Sequence, residues 1–64
     1  MVLINGERLP AEGKTAAEYL CSAGYDPQRV AVERNGEIVP RAQYDAVIFQ
    51  EGDRVEIVRF VGGG

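Results

Sequence analysis

The sequence lacks most of the side chains that usually carry catalysis and metal binding. It contains no histidine, so neither an imidazole base nor a histidine metal ligand is available. Its single cysteine, Cys21, excludes an internal disulfide and a metal site built from several thiolates. Cys21 falls one position off the core-facing residues of a predicted helix, which favours an incidental thiol. We therefore expect a protein that has no catalytic residues and no metal site of its own.

Excess positive charge and long apolar runs are also absent. A formal net charge of −3 argues against a nucleic-acid binder, which normally presents a basic face. No apolar run approaches the roughly 20 residues of a membrane-spanning helix. The apolar start of the chain ends at Asn5-Gly6, too early for a signal peptide. With no disulfide or metal to stabilise it, so short a chain is expected to be one cytoplasmic domain that contacts neither nucleic acid nor membrane.

Two Asn-Gly pairs predict two β-hairpins. Asn5-Gly6 and Asn35-Gly36 each lie between short apolar stretches, and both residue types tolerate the positive φ angles of a two-residue turn. Each returning strand ends at a proline, Pro10 or Pro40, which cannot donate a hydrogen bond to a neighbouring strand. The chain should therefore contain two short hairpins, separated by residues 11–29.

A short amphipathic helix is predicted between the hairpins. Thr15 and Glu18 have the spacing of a capping box, and Gly24 is suited to the position just after the helix. A helix of about eight residues is too short to persist alone and must pack against a sheet. Its apolar face follows the spacing i, i+3, i+4, i+7 and comprises Ala16, Tyr19, Leu20 and Ala23.

Segment 54–60 is the clearest strand in the sequence. Val55 and Ile57 should point to one face of the sheet and Glu56, Val58 and Phe60 to the other. Since one short helix covers only one face, Val58 and Phe60 are predicted to face solvent. With Val61 they would form a partner-binding patch.

Segment 41–50 leaves an alternative open, because it could fold over this patch instead. Its conformation is otherwise undetermined, apart from one helical turn at 42–44 and an apolar run at 47–49 that looks buried.

The order hairpin, helix, hairpin, connector, strand predicts an α+β fold of the β-grasp, ubiquitin-like type. A mixed sheet of four to five strands would carry one main helix on one face, with the last strand central and parallel to the first. Residues 1–60 would form this domain. The expected core comprises Val55, Ile57, Val30, Val32, Leu20 and Tyr19, with Leu3 or Ile4.

Three glycines, Gly62, Gly63 and Gly64, close the sequence. Glycine is backbone alone, and chain ends are usually disordered unless they are tied down. Residues 61–64 are therefore predicted to form a flexible tail that reaches about 13 Å when extended. Its reactive group would be the carboxylate of Gly64. A frayed end or a residual linker would give the same pattern.

Three segments together resemble the ThiS family of ubiquitin-like sulfur carriers in thiamine biosynthesis: 2–7, 32–41, and 51–58 followed by Gly63-Gly64. The resemblance implies that a ThiF-type adenylyltransferase uses ATP and magnesium to adenylate Gly64. A cysteine desulfurase system would supply the sulfur, and a ThiG-type thiazole synthase would accept it from the thiocarboxylate. The carrier itself would be a protein co-substrate without a bound cofactor. Arg34 departs from the family pattern, and we expect it at a sheet edge with its head in water.

Other functions remain open at this point. The chain could carry sulfur for another pathway, such as molybdopterin synthesis or another thiolation. It could be a ubiquitin-like modifier joined to lysines through Gly64, or an interaction module with an inert tail. Glu51 and Asp53 are interpreted as solvated turn charges, because two carboxylates make an incomplete calcium site.

Overall fold

The computed structural model describes residues 1–60, which form one five-stranded sheet with an α-helix packed on one face. The strand order is β2-β1-β5-β3-β4, and β1 runs parallel to the central β5 while the other neighbours are antiparallel. The predicted α+β arrangement with a central last strand is therefore confirmed. The elements are β1 Val2–Ile4, β2 Glu7–Leu9, α1 Ala16–Ser22, β3 Val30–Arg34, β4 Glu37–Val39 and β5 Arg54–Arg59, with short 3₁₀ turns at Pro27–Arg29 and Arg41–Gln43.

Both predicted hairpin turns are present. Asn5 has φ 51° and Gly6 has φ 82°, while Asn35 has φ 53° and Gly36 has φ 84°. Positive φ at both central residues gives a turn whose twist matches that of the strands it joins. The two turns connect β1 to β2 and β3 to β4.

Helix α1 begins with the predicted capping box. The Thr15 hydroxyl accepts a hydrogen bond from the Glu18 amide at 3.1 Å, and the Glu18 carboxylate accepts one from the Thr15 amide at 2.8 Å. Leu20 is buried and Tyr19 half-buried, but Ala23 is exposed because the helix ends before it, so its predicted burial was wrong. Within residues 1–60, no helix has the length and apolar character to cross a membrane.

The core lies between α1 and the sheet. It contains the predicted strand residues and Leu20, and of the two candidates in β1 it is Ile4 that is buried while Leu3 is half-buried. The largest fully buried side chain is Phe49, which comes from the connector rather than from a regular element. The other buried apolar residues are Val2, Ile4, Ala11, Ala16, Leu20, Val30, Val32, Val39, Tyr44, Val55 and Ile57.

Segment 41–50 packs on the helix side of the sheet. The Phe49 amide donates to the Lys14 carbonyl at 2.9 Å, and the Tyr19 and Phe49 rings lie 6.3 Å apart. The buried hydroxyl of Tyr44 donates to the Val30 carbonyl at 3.3 Å. The segment therefore does not fold over Val58 and Phe60.

The apolar run 47–49 in this segment was predicted to be buried as a whole. Phe49 is buried, as expected, and Val47 is half-buried. Ile48 is 47% exposed, so that part of the prediction was wrong.

Arg34 and Asp53 form an ion pair that the sequence did not predict. The Arg34 Nε donates to the Asp53 carboxylate at 2.7 Å, and β3 lies between β5 and β4 rather than at an edge. Asp53 is 7% exposed and also accepts from the Gln50 amide and the Asn35 side chain at 2.8 and 3.0 Å. Burial raises the pKa of Asp53, but these hydrogen bonds outweigh burial and hold the pKa below its usual range. The predicted edge position of Arg34 and the predicted solvated state of Asp53 were therefore wrong.

Candidate functional site

The predicted site residues divide between the described part of the chain and the part beyond it. Val61 and Gly62 to Gly64 lie outside the described residues. The tail 61–64, the domain boundary after residue 60 and the role of Gly64 therefore stay predictions. Val58 and Phe60 lie at the end of β5, and their exposed fractions are 57% and 55%. The structure thus places both where the sequence put them, on the face away from α1.

Strand β5 is held in register by the side chain of the first hairpin turn. Beyond the Ile4–Val55 pair, β1 turns away and β5 continues. There the Asn5 side-chain oxygen accepts from the Ile57 amide at 2.8 Å, while the side-chain nitrogen donates to the Ile57 carbonyl at 3.2 Å. The Asn5 amide group therefore extends the ladder beyond the backbone of β1.

The second hairpin turn binds the other end of β5. The Asn35 side-chain oxygen accepts a hydrogen bond from the Arg54 backbone amide at 2.9 Å. The Asn35 backbone amide donates one to the Arg54 carbonyl at 2.7 Å. From the sequence, both asparagines were interpreted only as turn residues, since no neighbouring residue shows that their side chains reach β5. Further along, the Phe60 amide donates to the Arg29 carbonyl at 2.9 Å. The strand is fixed from its first residue to the position where the described chain ends.

The exposed apolar surface at the end of β5 is larger than predicted. Ala31 pairs with Val58 across β3 and β5, and Phe60 shares a shallow depression with Ala31 and Ile38. Ile38 is 74% exposed. We call these four residues the open-face patch: Ala31, Ile38, Val58 and Phe60. Ile38 was not among the predicted site residues, because only the β3–β4 register brings it beside the end of β5.

Away from the patch the same face carries charged side chains of both signs, Glu33, Glu56 and Arg54. Glu33 on β3 stands directly opposite Glu56 on β5, and both are exposed. Like charges in this position destabilise a sheet slightly. An exposed apolar patch with a charged border is typical of a surface that meets another protein.

The side chains of the described residues form no metal-binding cluster and leave no buried polar atom without a partner. Within residues 1–60, no group of three or more histidine, cysteine, aspartate or glutamate residues could hold a metal ion. In the same range every buried side-chain nitrogen and oxygen has a hydrogen-bond partner. Cys21 is exposed on α1. Within residues 1–60, this arrangement holds β5 by hydrogen bonds from both hairpin turns and leaves the open-face patch exposed.

Comparisons with known proteins agree with this geometry. The model of the ThiS family matches residues 2–64. The sulfur carrier protein ThiS of Thermus thermophilus is 39% identical over 64 residues, which cover both chains completely. The crystal structure of the thiamine biosynthesis protein ThiS from Geobacter metallireducens superposes with a TM-score of 0.79 at 34% identity, covering 98% of this chain and 97% of that one. The predicted β-grasp fold is thereby confirmed.

Longer proteins also contain a similar segment. The thiazole synthase of Magnetococcus marinus is 48% identical over 62 residues, which cover 95% of this chain and 19% of the relative. The chain spans about a fifth of the length of the thiazole synthases that it matches. The match of the family model to residues 2–64 and the full-length likeness to ThiS proteins show that this chain belongs to the ThiS family.

Proposed function

We propose that this chain is a sulfur carrier of thiamine biosynthesis, a cytoplasmic protein co-substrate and not an enzyme. The observation that carries the proposal is the likeness to the sulfur carrier ThiS of Thermus thermophilus, which extends over the full length of both chains. The structural neighbour from Geobacter metallireducens, a thiamine biosynthesis protein, supports the same pathway.

The chemistry of the proposal takes place at the carboxylate of Gly64. A free α-carboxylate has a reference pKa of about 3.5, so it is ionised at neutral pH and resists nucleophilic attack. A ThiF-type adenylyltransferase, which uses ATP and magnesium, would convert it to an acyl-adenylate with AMP as leaving group. A persulfide from a cysteine desulfurase system would then attack the adenylate and displace AMP, which gives an acyl disulfide. A second thiol would cleave its S–S bond, leaving as a disulfide with the donor thiol and freeing the thiocarboxylate on Gly64. That sulfur is a strong nucleophile and would pass to a ThiG-type thiazole synthase.

The described domain suits the role of a carrier. The side chains of Asn5 and Asn35 hold β5 from both sides, which fixes where the chain leaves the sheet. The open-face patch lies at that point and offers an apolar surface to a partner. Gly62 to Gly64 have no Cβ, so this part of the chain can pass through a channel too narrow for other residues. None of these tasks needs a catalytic side chain on the carrier.

The thiazole synthase relatives support the proposed sulfur acceptor. Each carries a segment similar to this chain within a protein about five times longer. A carrier segment and a synthase in one polypeptide would raise the local concentration of one for the other. We therefore propose that the partner which receives the sulfur is a thiazole synthase.

Intact-mass analysis of the native protein tests the proposal directly. Protein isolated without reducing agents from cells starved of thiamine should contain a species heavier by about 16 Da, the difference between sulfur and oxygen. The same spectrum shows whether the mature chain ends at Gly64. A variant lacking Gly64 serves as the control and should show no heavier species. Full thiamine synthesis by cells in which the heavier species never forms would refute the carrier role.

Adenylation assays test the site itself. Deleting Gly64 should abolish ATP–pyrophosphate exchange by the adenylyltransferase, because the carboxylate would end one residue short of its position in the partner. The circular dichroism spectrum should not change, since residue 64 lies beyond β5. Retained exchange with the shortened chain would remove Gly64 from the mechanism.

A further inference from the structure

The topology brings three arginines to the end of the sheet where β5 finishes. Arg59 is the last residue of β5. Arg29 precedes the antiparallel strand β3, and its carbonyl accepts from the Phe60 amide at 2.9 Å. Arg41 follows β4, which runs antiparallel to β3 and so ends at the same end of the sheet. Residues far apart in sequence therefore surround one side chain, Phe60.

These arginines stand on both sides of Phe60. One shallow depression is lined by Arg29, Arg59 and Phe60, and a second by Arg41, Ile38 and Phe60. All three arginines are exposed. We call Arg29, Arg41 and Arg59 the arginine collar. The collar adjoins the open-face patch and surrounds the position from which the chain continues to Gly64.

Each collar arginine is oriented by one local contact. The Arg41 Nε donates to the Pro27 carbonyl at 3.0 Å, and the Arg29 Nε lies 3.4 Å from the Asp26 carboxylate. The Arg59 guanidinium carbon lies 4.8 Å from the centre of the Tyr25 ring. Among residues 1–60, these contacts use Nε or the flat face of the guanidinium and leave the terminal NH₂ groups without a hydrogen bond. Those groups match the paired oxygens of a carboxylate.

The charge at this end of the sheet opposes that of the whole chain. The collar and Asp26 together carry a formal charge of +2, while the other four cationic and nine acidic side chains carry −5. A cationic group of this kind on an acidic protein is expected to attract an anionic surface and to orient the approach.

We propose that the arginine collar binds carboxylates on the rim of the partner site that receives the chain end. This inference rests on the proposed function and names the chemistry of the docking partner: an acidic rim around an apolar contact for Phe60. Four residues separate Phe60 from the end of Gly64, an extended span of about 13 Å. The collar therefore faces the entrance of the partner site, and the nucleotide phosphates at its base are out of reach.

Steady-state adenylation kinetics test the collar. The ThiF-type adenylyltransferase from the same genome is assayed with the full chain and with the variants Arg29→Glu, Arg41→Glu and Arg59→Glu. The matched control is Arg8→Glu, since Arg8 is exposed on β2 at the opposite end of the sheet. Each collar variant should raise the KM for the carrier about tenfold and leave kcat within about twofold, because steering by rim charges acts on association.

Salt dependence and neutral variants distinguish electrostatic steering of the carrier from a loss of folding in the variants. The neutral Arg→Gln variants should weaken the dependence of kcat/KM on salt between about 50 and 300 mM, a range over which screening strengthens markedly. Thermal unfolding checks that each variant folds. Collar variants that behave like Arg8→Glu would overturn the proposal, as would a change confined to kcat or to the KM for ATP. If even the wild-type chain is not adenylated, the proposed function fails and the collar proposal fails with it.

Discussion

The two faces of β5 carry similar apolar side chains, but one face is buried and the other is exposed. Val55 and Ile57 are 0% and 7% exposed beneath α1 and the connector, whereas Val58 and Phe60 are 57% and 55% exposed on the other face. All four are apolar and belong to one continuous stretch of chain. The difference lies in what covers them, because the described residues place a second layer on one face only. Burial in this small domain is therefore decided by the number of layers as well as by residue type.

This difference separates stability from binding. Full burial of a large apolar side chain stabilises a fold by about 1.5–3 kcal/mol, and Val55 and Ile57 on the helix side contribute this stabilisation. Val58 and Phe60 are half exposed and supply much less, so their residue types are available for recognition. Substitutions on the two faces should separate these roles, and the following four are ordered by the size of their effect on folding.

The largest effect is expected at Phe49, on the covered face. Phe49→Ala should lower the free energy of unfolding by about 3–5 kcal/mol, because the substitution leaves a cavity in the core. The total free energy of unfolding of a domain of this size is only about 3–10 kcal/mol. Urea denaturation followed by circular dichroism measures the loss, and Phe49→Leu gives a milder variant if Phe49→Ala does not fold. A loss below about 1 kcal/mol would show that the connector is not part of the core.

The next effect is expected at Asp53, where β5 begins. Asp53→Asn should cost about 2 kcal/mol at pH 7, because Arg34 would lose its charged partner at a buried position. The fold holds the pKa of Asp53 below its usual range. The ionised carboxylate therefore contributes fully to the free energy of unfolding above the unfolded pKa of about 3.9.

The pH dependence of the Asp53 pair provides the control. As the pH falls through the lower folded pKa, the wild type should lose this contribution and the two proteins should converge in stability. Urea midpoints at pH 7 and near pH 2 measure the convergence. A difference that persists unchanged at the lower pH would show that the carboxylate charge is not responsible.

A smaller effect is expected at the start of the helix that covers the core. Thr15→Ala should lower the free energy of unfolding by about 1 kcal/mol, because the amide of Glu18 loses the hydroxyl that caps it. Thr15→Ser retains the hydroxyl and is the matched control. Equal unfolding midpoints for the alanine and serine variants would contradict a contribution from the cap.

The smallest effect on folding is expected on the open face. Phe60→Asp should change the free energy of unfolding by less than about 0.5 kcal/mol, because Phe60 is 55% exposed in the free protein. Its affinity for the adenylyltransferase should nevertheless fall at least tenfold, since a charge would be placed in an apolar contact. Isothermal titration calorimetry measures the affinity, with Ile48→Asp as an exposed apolar control elsewhere. Unchanged affinity would remove Phe60 from the docking surface.

Much of the fold could be predicted because the signals are local. The Asn-Gly turns, the capping box at Thr15 and the alternation along β5 each depend on a few adjacent residues, and each was found as predicted. The failures at Ala23 and Ile48 concerned where the helix ends and which side chain of the connector faces solvent, whereas the errors at Arg34 and Ile38 concerned distant partners. Arg34 was placed at an edge because its partner Asp53 lies 19 residues away, and Ile38 was missed because its neighbours belong to other strands.

Local chemistry along the chain thus specified the elements and the covered face of β5, and it is the basis for the prediction that Gly64 carries the sulfur. Only the folded arrangement decided which side chains meet: the asparagines that reach β5, the ion pair beneath the second turn and the three arginines around Phe60. The physical reason is that turns and caps form within a few residues, whereas these contacts depend on how the strands are ordered. That order depends on burying apolar side chains that come from distant segments in one core.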